Sequence, residues 1–104
     1  MGTEMLFSSM EELEDWITEQ NEEALFIEGF DKAIVGICDR YGAAPVIAYD
    51  RDKCIAILEK QICGRHHNPD LTSYEEAVEF FDFNVAGAYV GENTPIFITL
   101  VKTV

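Results

Sequence analysis

The sequence predicts one small α+β domain in the order α-β-β-α-α-β, with helices over one face of a small antiparallel sheet of three or four strands. Three observations carry this prediction. A length of 104 residues, 48% of them apolar and 26% charged, supplies one core and not two. Apolar residues recur at helical spacing in three stretches, and β-branched residues cluster in the stretches between them. Glycine, proline and asparagine punctuate the boundaries.

Taken in order, Ser9 followed by Glu12 fits a capping box and opens the first helix. Met10, Leu13, Trp16 and Ile17 fall on one face of it, while Glu11, Glu12, Glu14 and Asp15 crowd the first turns, where the helix dipole favours anions. Residues 1–27 therefore read as an acidic amphipathic helix that packs on, or extends, an α+β unit of residues 28–104. After the apolar run "ALFIEGF" (24–30), "KAIVGICDR" (32–40) and "VIAYD" (46–50) read as the strands of an antiparallel hairpin, with Gly42 and Pro45 as turn residues. Asp50 caps a helix over "RDKCIAILEKQIC", whose stripe is Cys54, Ile55, Leu58 and Ile62 and whose stop is Gly64. Residues 65–70 form a loop. Ser73 with Glu76 repeats the capping-box pattern and opens a helix that carries Ala77, Phe80, Phe81, Asn84, Val85 and Ala88 on or near one face. Gly87 and Gly91 bracket its end, and Pro95 opens a last strand, "PIFITLV" (95–101).

Three blocks, "EGFDKAIVGI" (28–37), "AYDRDKCIAIL" (48–58) and "SYEEAVEFFDFNVAGAYVGENTPIF" (73–97), together resemble a widespread family of small uncharacterised proteins encoded by tailed bacteriophages and prophages. The resemblance covers residues 28–98. It implies a compact fold, a place in the cytoplasm of an infected bacterium and an accessory role; it implies no reaction. Residues 1–27 lie outside it, and the loop "QICGRHHNPDLT" (61–72) is longer and richer in histidine than the resemblance leads one to expect.

Charge narrows the class of partner. Twenty acids against seven bases give −13; residues 1–31 hold ten acids and no base, so they carry −10, and residues 32–104 carry −3. Such a field repels phosphate backbones, which argues against direct nucleic-acid binding, and attracts a basic protein surface. No apolar run approaches the roughly 18 residues of a membrane span, and the first residues lack the basic and apolar regions of a secretory signal. Three cysteines without a C-x-x-C pair fit a reducing cytoplasm. The partner surface expected is Glu11, Glu12, Glu14, Asp15, Glu19, Glu22 and Glu23, and the partner a basic host or phage protein, in the sharpest form a nucleic-acid-binding enzyme blocked by an acidic DNA mimic of the anti-restriction or anti-CRISPR type. An edge strand or the Met10–Ile17 stripe would also support a homodimer.

The densest stretch, "FDFNVAGAYVGENTPIF" (81–97), reads as a helix-to-strand joint rather than a chemical site. Phe81, Phe83, Tyr89 and Phe97 are expected in the core. Asn84 is expected to tie the turn of Glu92–Thr94 back to the helix, Gly87 to admit another backbone and Gly91 to take a positive φ before Thr94 and Pro95. Cys63, His66 and His67 form an incomplete C-x-x-H-H metal pattern whose fourth ligand must come from Cys38, Cys54, Asp70 or another chain. Asp31, Asp39, Asp50 and Asp52 accompany no nucleophile or base motif, and Arg40 with Tyr41 or Lys53 is a thin anion site. No cofactor is expected. The alternative to a protein binder is a small-ligand or metal-binding protein, or an enzyme, built on residues 62–70.

Overall fold

The structure is a computed structural model in which residues 6–63, 72–88 and 91–102 are described, Cys63 by its backbone alone. Its class is α+β, with the elements α1 (Met10–Gln20), β1 (Ile34–Arg40), β2 (Ala43–Asp50), α2 (Arg51–Cys63), α3 (Ser73–Phe80) and β3 (Ile96–Ile98). The sheet has three strands in the order β1-β2-β3. Among the described residues no helix is long and apolar enough to cross a membrane.

The sheet is mixed, which corrects the expectation of an antiparallel one. β1 and β2 form the expected antiparallel hairpin, with Ile37 opposite Ile47 and Cys38 opposite Val46, but β3 runs parallel to β2, with Tyr49 opposite Phe97. Two helices lie between β2 and β3, and a crossover of that length carries the chain back to the end of the sheet at which β2 began, so β3 runs the same way. The apolar run 24–30 adds no fourth strand. Its Ile27 and Phe30 are buried, and the Ile27 N–H donates to the Tyr49 hydroxyl (2.8 Å) instead of to a ladder. Pro45 lies inside β2 rather than in the turn, where the register shift between Cys38 and Arg40 leaves room for a residue without an N–H.

Helix caps follow the sequence with two departures. Ser9 accepts from the Glu12 N–H (3.2 Å), while the Glu12 carboxylate bonds Ser8 instead of closing a box on Ser9. The Asp50 carboxylate accepts from the N–H groups of Asp52 (2.9 Å) and Lys53 (3.3 Å). α3 is capped by Thr72 with Glu75, not by Ser73 with Glu76: the hydroxyl accepts from Glu75 N–H (3.1 Å) and the carboxylate from Thr72 N–H (2.9 Å). Thr72 wins because its own backbone is extended, as a cap requires, and Ser73 is already helical.

One core joins all the helices to one face of the sheet. Leu13 and Ile17 of α1, Ile47 and Tyr49 of β2, Cys54, Ile55 and Leu58 of α2, and Ala77, Phe81 and Val85 belong to a single buried cluster, with Met10, Trp16, Ile37 and Phe97 packed against it. Leu13 and Ile17 of the Met10–Ile17 stripe are thus buried in the chain's own core, while Met10 and Trp16 are half-buried at its margin.

Candidate functional site

The helix-to-strand joint resolves into packing. After α3 the chain makes one wide turn over Phe81–Val85 and a tight one over Ala86–Ala88. A wide turn rotates the following residues relative to a regular helix. Phe81 and Val85 stay buried, but Phe80, Phe83, Asn84 and Ala88 face solvent, contrary to the expected apolar face. Phe81 meets Phe97 edge-on at 4.9 Å, and Phe97 lies 5.8 Å from Tyr49, so two of the four expected core aromatics are confirmed; Phe83 is exposed, and Tyr89 lies outside the described residues. Arg51 sits over the Phe81 ring (5.4 Å) and pairs with Asp82 (3.3 Å), clasping the start of α2 to the wide turn.

Gly91 takes the expected positive φ, +107; at Gly87 a Cβ would stand 2.9 Å from the Asp82 carbonyl oxygen of the preceding turn, so the close approach there is to its own helical stretch and not to another segment. The Thr94 N–H closes the turn onto the Gly91 carbonyl (3.4 Å), and Pro95 is buried just before β3. Asn84 does not tie this turn down, because it is exposed. That role belongs to Asn21 and Asn93. Asn21 Nδ2 donates to the Pro45 carbonyl (2.9 Å) and to Asn93 Oδ1 (3.0 Å), Asn21 Oδ1 accepts from Glu23 N–H (3.1 Å), and Asn93 Nδ2 donates to the Glu23 carboxylate (3.1 Å). Asn21 is 9% exposed and ends α1 with its own N–H on the Ile17 carbonyl. In "TEQNEE" it resembles any solvated polar residue; its partners lie 24 and 72 positions away.

The seven carboxylates expected to meet a partner, Glu11, Glu12, Glu14, Asp15, Glu19, Glu22 and Glu23, are all exposed. At about 100° per residue the five on α1 fall within an arc of about 160°, opposite the buried Leu13–Ile17 side. Glu22 and Glu23 follow in the turn after it. Among the described residues none of the seven forms an ion pair.

One depression of this scaffold, about 510 Å³, lies between α1 and β1, with Phe7, Leu13, Trp16, Ile34, Ile37 and Asp39 among its walls. Phe7 braces Trp16 edge-on at 6.3 Å. Two adjoining ones lie along α2, where Lys32, Lys53 and Lys60 surround Ile57. Arg40 is not available to an anion in the way the sequence suggested: its guanidinium donates to the carbonyls of Ala44 (2.8 Å) and Glu92 (2.6 Å), and Tyr41 projects fully into solvent.

The expected metal pattern of Cys63, His66 and His67, with Asp70, lies outside the described residues and side chains. Among the described residues no group of three or more histidine, cysteine or carboxylate side chains is placed to hold a metal ion. Of the other cysteines, Cys38 is half-buried and Cys54 fully buried. Burial, reinforced by the Asp50 carboxylate, pushes the Cys54 thiol up from 9.0 to about 11, the opposite of what a nucleophile needs. No protein-family model, no curated protein and no solved structure matches the chain.

Proposed function

We propose that this chain is a small non-enzymatic accessory protein of a tailed phage or prophage, which binds a basic host or phage protein in the bacterial cytoplasm and modulates it through the acidic face of α1. The single observation that carries the reading is that seven carboxylates between residues 11 and 23 are exposed, gathered on an ordered helix and its following turn, and in no ion pair among the described residues. Carboxylates gathered on one face present a coherent negative field that can steer a basic partner.

A magnitude favours the sharper form, mimicry of DNA toward a nucleic-acid-binding enzyme. Glu11 to Glu19 spans eight residues of rise, about 12 Å at about 1.5 Å per residue. Five carboxylates over that distance place one charge about every 3 Å, close to the roughly 3.4 Å spacing of phosphates along one DNA strand. A cationic groove that accepts a strand therefore meets a similar linear charge.

The test is a pull-down from the bacterial host with the wild-type chain and with the seven carboxylates converted to amides. A specific basic partner recovered by the first and lost by the second is expected. Recovery of no specific partner, with the two chains behaving alike, overturns the reading. For mimicry, the partner's affinity for DNA must fall when the chain is added at low salt, and the competition must weaken steeply as salt rises.

A further inference from the structure

We infer that the groove between α1 and β1 is a strand-addition site for an extended, cationic segment of the partner. The inference rests on the proposed contact between α1 and a basic protein and names the mode of that contact.

β1 is, with the short β3, one of two edge strands of the sheet, so one side of its backbone has no strand beside it among the described residues. Register shifts at Ile34/Gly36 and at Cys38/Arg40 bend both ends, leaving Gly36–Cys38 as the regular window. Such shifts are a common protection against open-ended pairing, and three residues of ladder are too few to hold a strand by themselves. An added segment needs side-chain anchorage as well, and the groove lies along this same window. A strand docked there turns alternate side chains toward Phe7 and Trp16, while its backbone reaches the free side of Gly36–Cys38.

Charge decides which segment fits. Asp39 stands in the groove wall, and Glu12 and Glu19 are the helical neighbours of Trp16 at i−4 and i+3, both exposed. Among the described residues none of the groove walls is basic. A second copy of the chain would bring another net −13 against this rim, whereas a segment alternating apolar and basic residues places the former in the groove and the latter on the rim.

The test titrates the full chain with a nine-residue peptide of alternating valine and lysine, with backbone NMR as the readout. One-to-one binding is expected, with shifts and new exchange protection at Gly36–Cys38. Methylating the peptide's interior backbone nitrogens keeps every side chain and removes the ladder, and is expected to weaken binding tenfold or more. Asp39→Lys, at an exposed position, is expected to weaken it several-fold. If the methylated peptide binds as well as the parent while the amide-substituted α1 chain binds neither, the electrostatic contact stands and the strand site is overturned. Absence of peptide binding, or a dimer closed through β1 in sedimentation, overturns it too, and the host pull-down then judges the partner reading separately.

Discussion

One amide, that of Asn21, fastens the end of α1 to β2 and to the Gly91–Thr94 turn. Its side chain makes three hydrogen bonds, two as donor and one as acceptor, at a position only 9% exposed. At about 1 kcal/mol net for each bond, Asn21→Ala should cost about 2–3 kcal/mol. Asn21→Asp changes almost no volume and keeps the acceptor, yet should cost more. It turns an acceptor toward the Pro45 carbonyl and Asn93 Oδ1, and it sets a second carboxylate about one amide from that of Glu23, a repulsion of about 1–3 kcal/mol at an effective dielectric of about 20 to 80. The expected total is about 3–5 kcal/mol at pH 7, a large share of the roughly 5–15 kcal/mol available to a domain of this size. The introduced carboxyl prefers its protonated form in the fold, so its folded pKa is raised. The variant's deficit should be least below the unfolded pKa of about 4 and grow as pH rises through the folded value. Urea unfolding followed by circular dichroism at pH 4 and pH 7, for both variants and the wild type, measures this. An Asn21→Asp chain as stable as the wild type at pH 7 refutes the donor assignment and with it the joint.

Two further outcomes follow from buried polar atoms. Tyr49→Phe removes the hydroxyl that accepts the Ile27 N–H, leaving a buried donor unpaired; it should lower stability by about 1–3 kcal/mol with an unchanged urea m-value, and a loss below about 0.5 kcal/mol would contradict the assigned bond. Cys54 keeps its proton in the fold to about pH 11 but gives it up near 9.0 when unfolded, so its contribution is complete below pH 9 and declines as pH rises from 9 to 11, by up to about 2 kcal/mol. Cys54→Ala should flatten that alkaline limb in parallel pH titrations of stability, and Cys54 should resist alkylation in the native chain at pH 8.

Local signals carried the fold further than they carried the contacts. Ser9, Asp50 and the apolar stripes of α1 and α2 announced helices because caps and periodicity act within four or five residues. The slip from Thr72 to Ser73 is one position in a run of two eligible hydroxyls, each followed three residues later by a glutamate. The parallel placement of β3 was written in the α2–α3 insertion, since strands separated by helices pair in parallel more readily than hairpin neighbours do. What had no local mark was the wide turn at Phe81–Val85, which depends on how α3 meets α2 and β3 and which turned Phe83 and Asn84 outward. The same holds for the joint of Asn21 with Asn93, for the burial of Ile27 on Tyr49 and for the groove between α1 and β1. Each is made of residues that are ordinary in their own neighbourhood.

The acidic face of α1 was legible in the sequence as the polar side of an amphipathic helix, and energetics explain why it stays ordered despite its charge. Glu11–Glu14, Glu12–Asp15, Glu11–Asp15 and Asp15–Glu19 are like-charged neighbours at i+3 or i+4; at about 0.2–0.5 kcal/mol each they cost the helix about 1–2 kcal/mol. Burying Leu13 and Ile17 contributes about 3–6 kcal/mol, and Glu11 and Glu12 in the first turn gain from the dipole, so packing prevails and the repulsion persists in the folded state. A basic partner that docks on this face relieves that repulsion as well as adding its own attraction. The apolar stripe fixes α1 in place, and the unrelieved charge on its other side is then free energy available to binding.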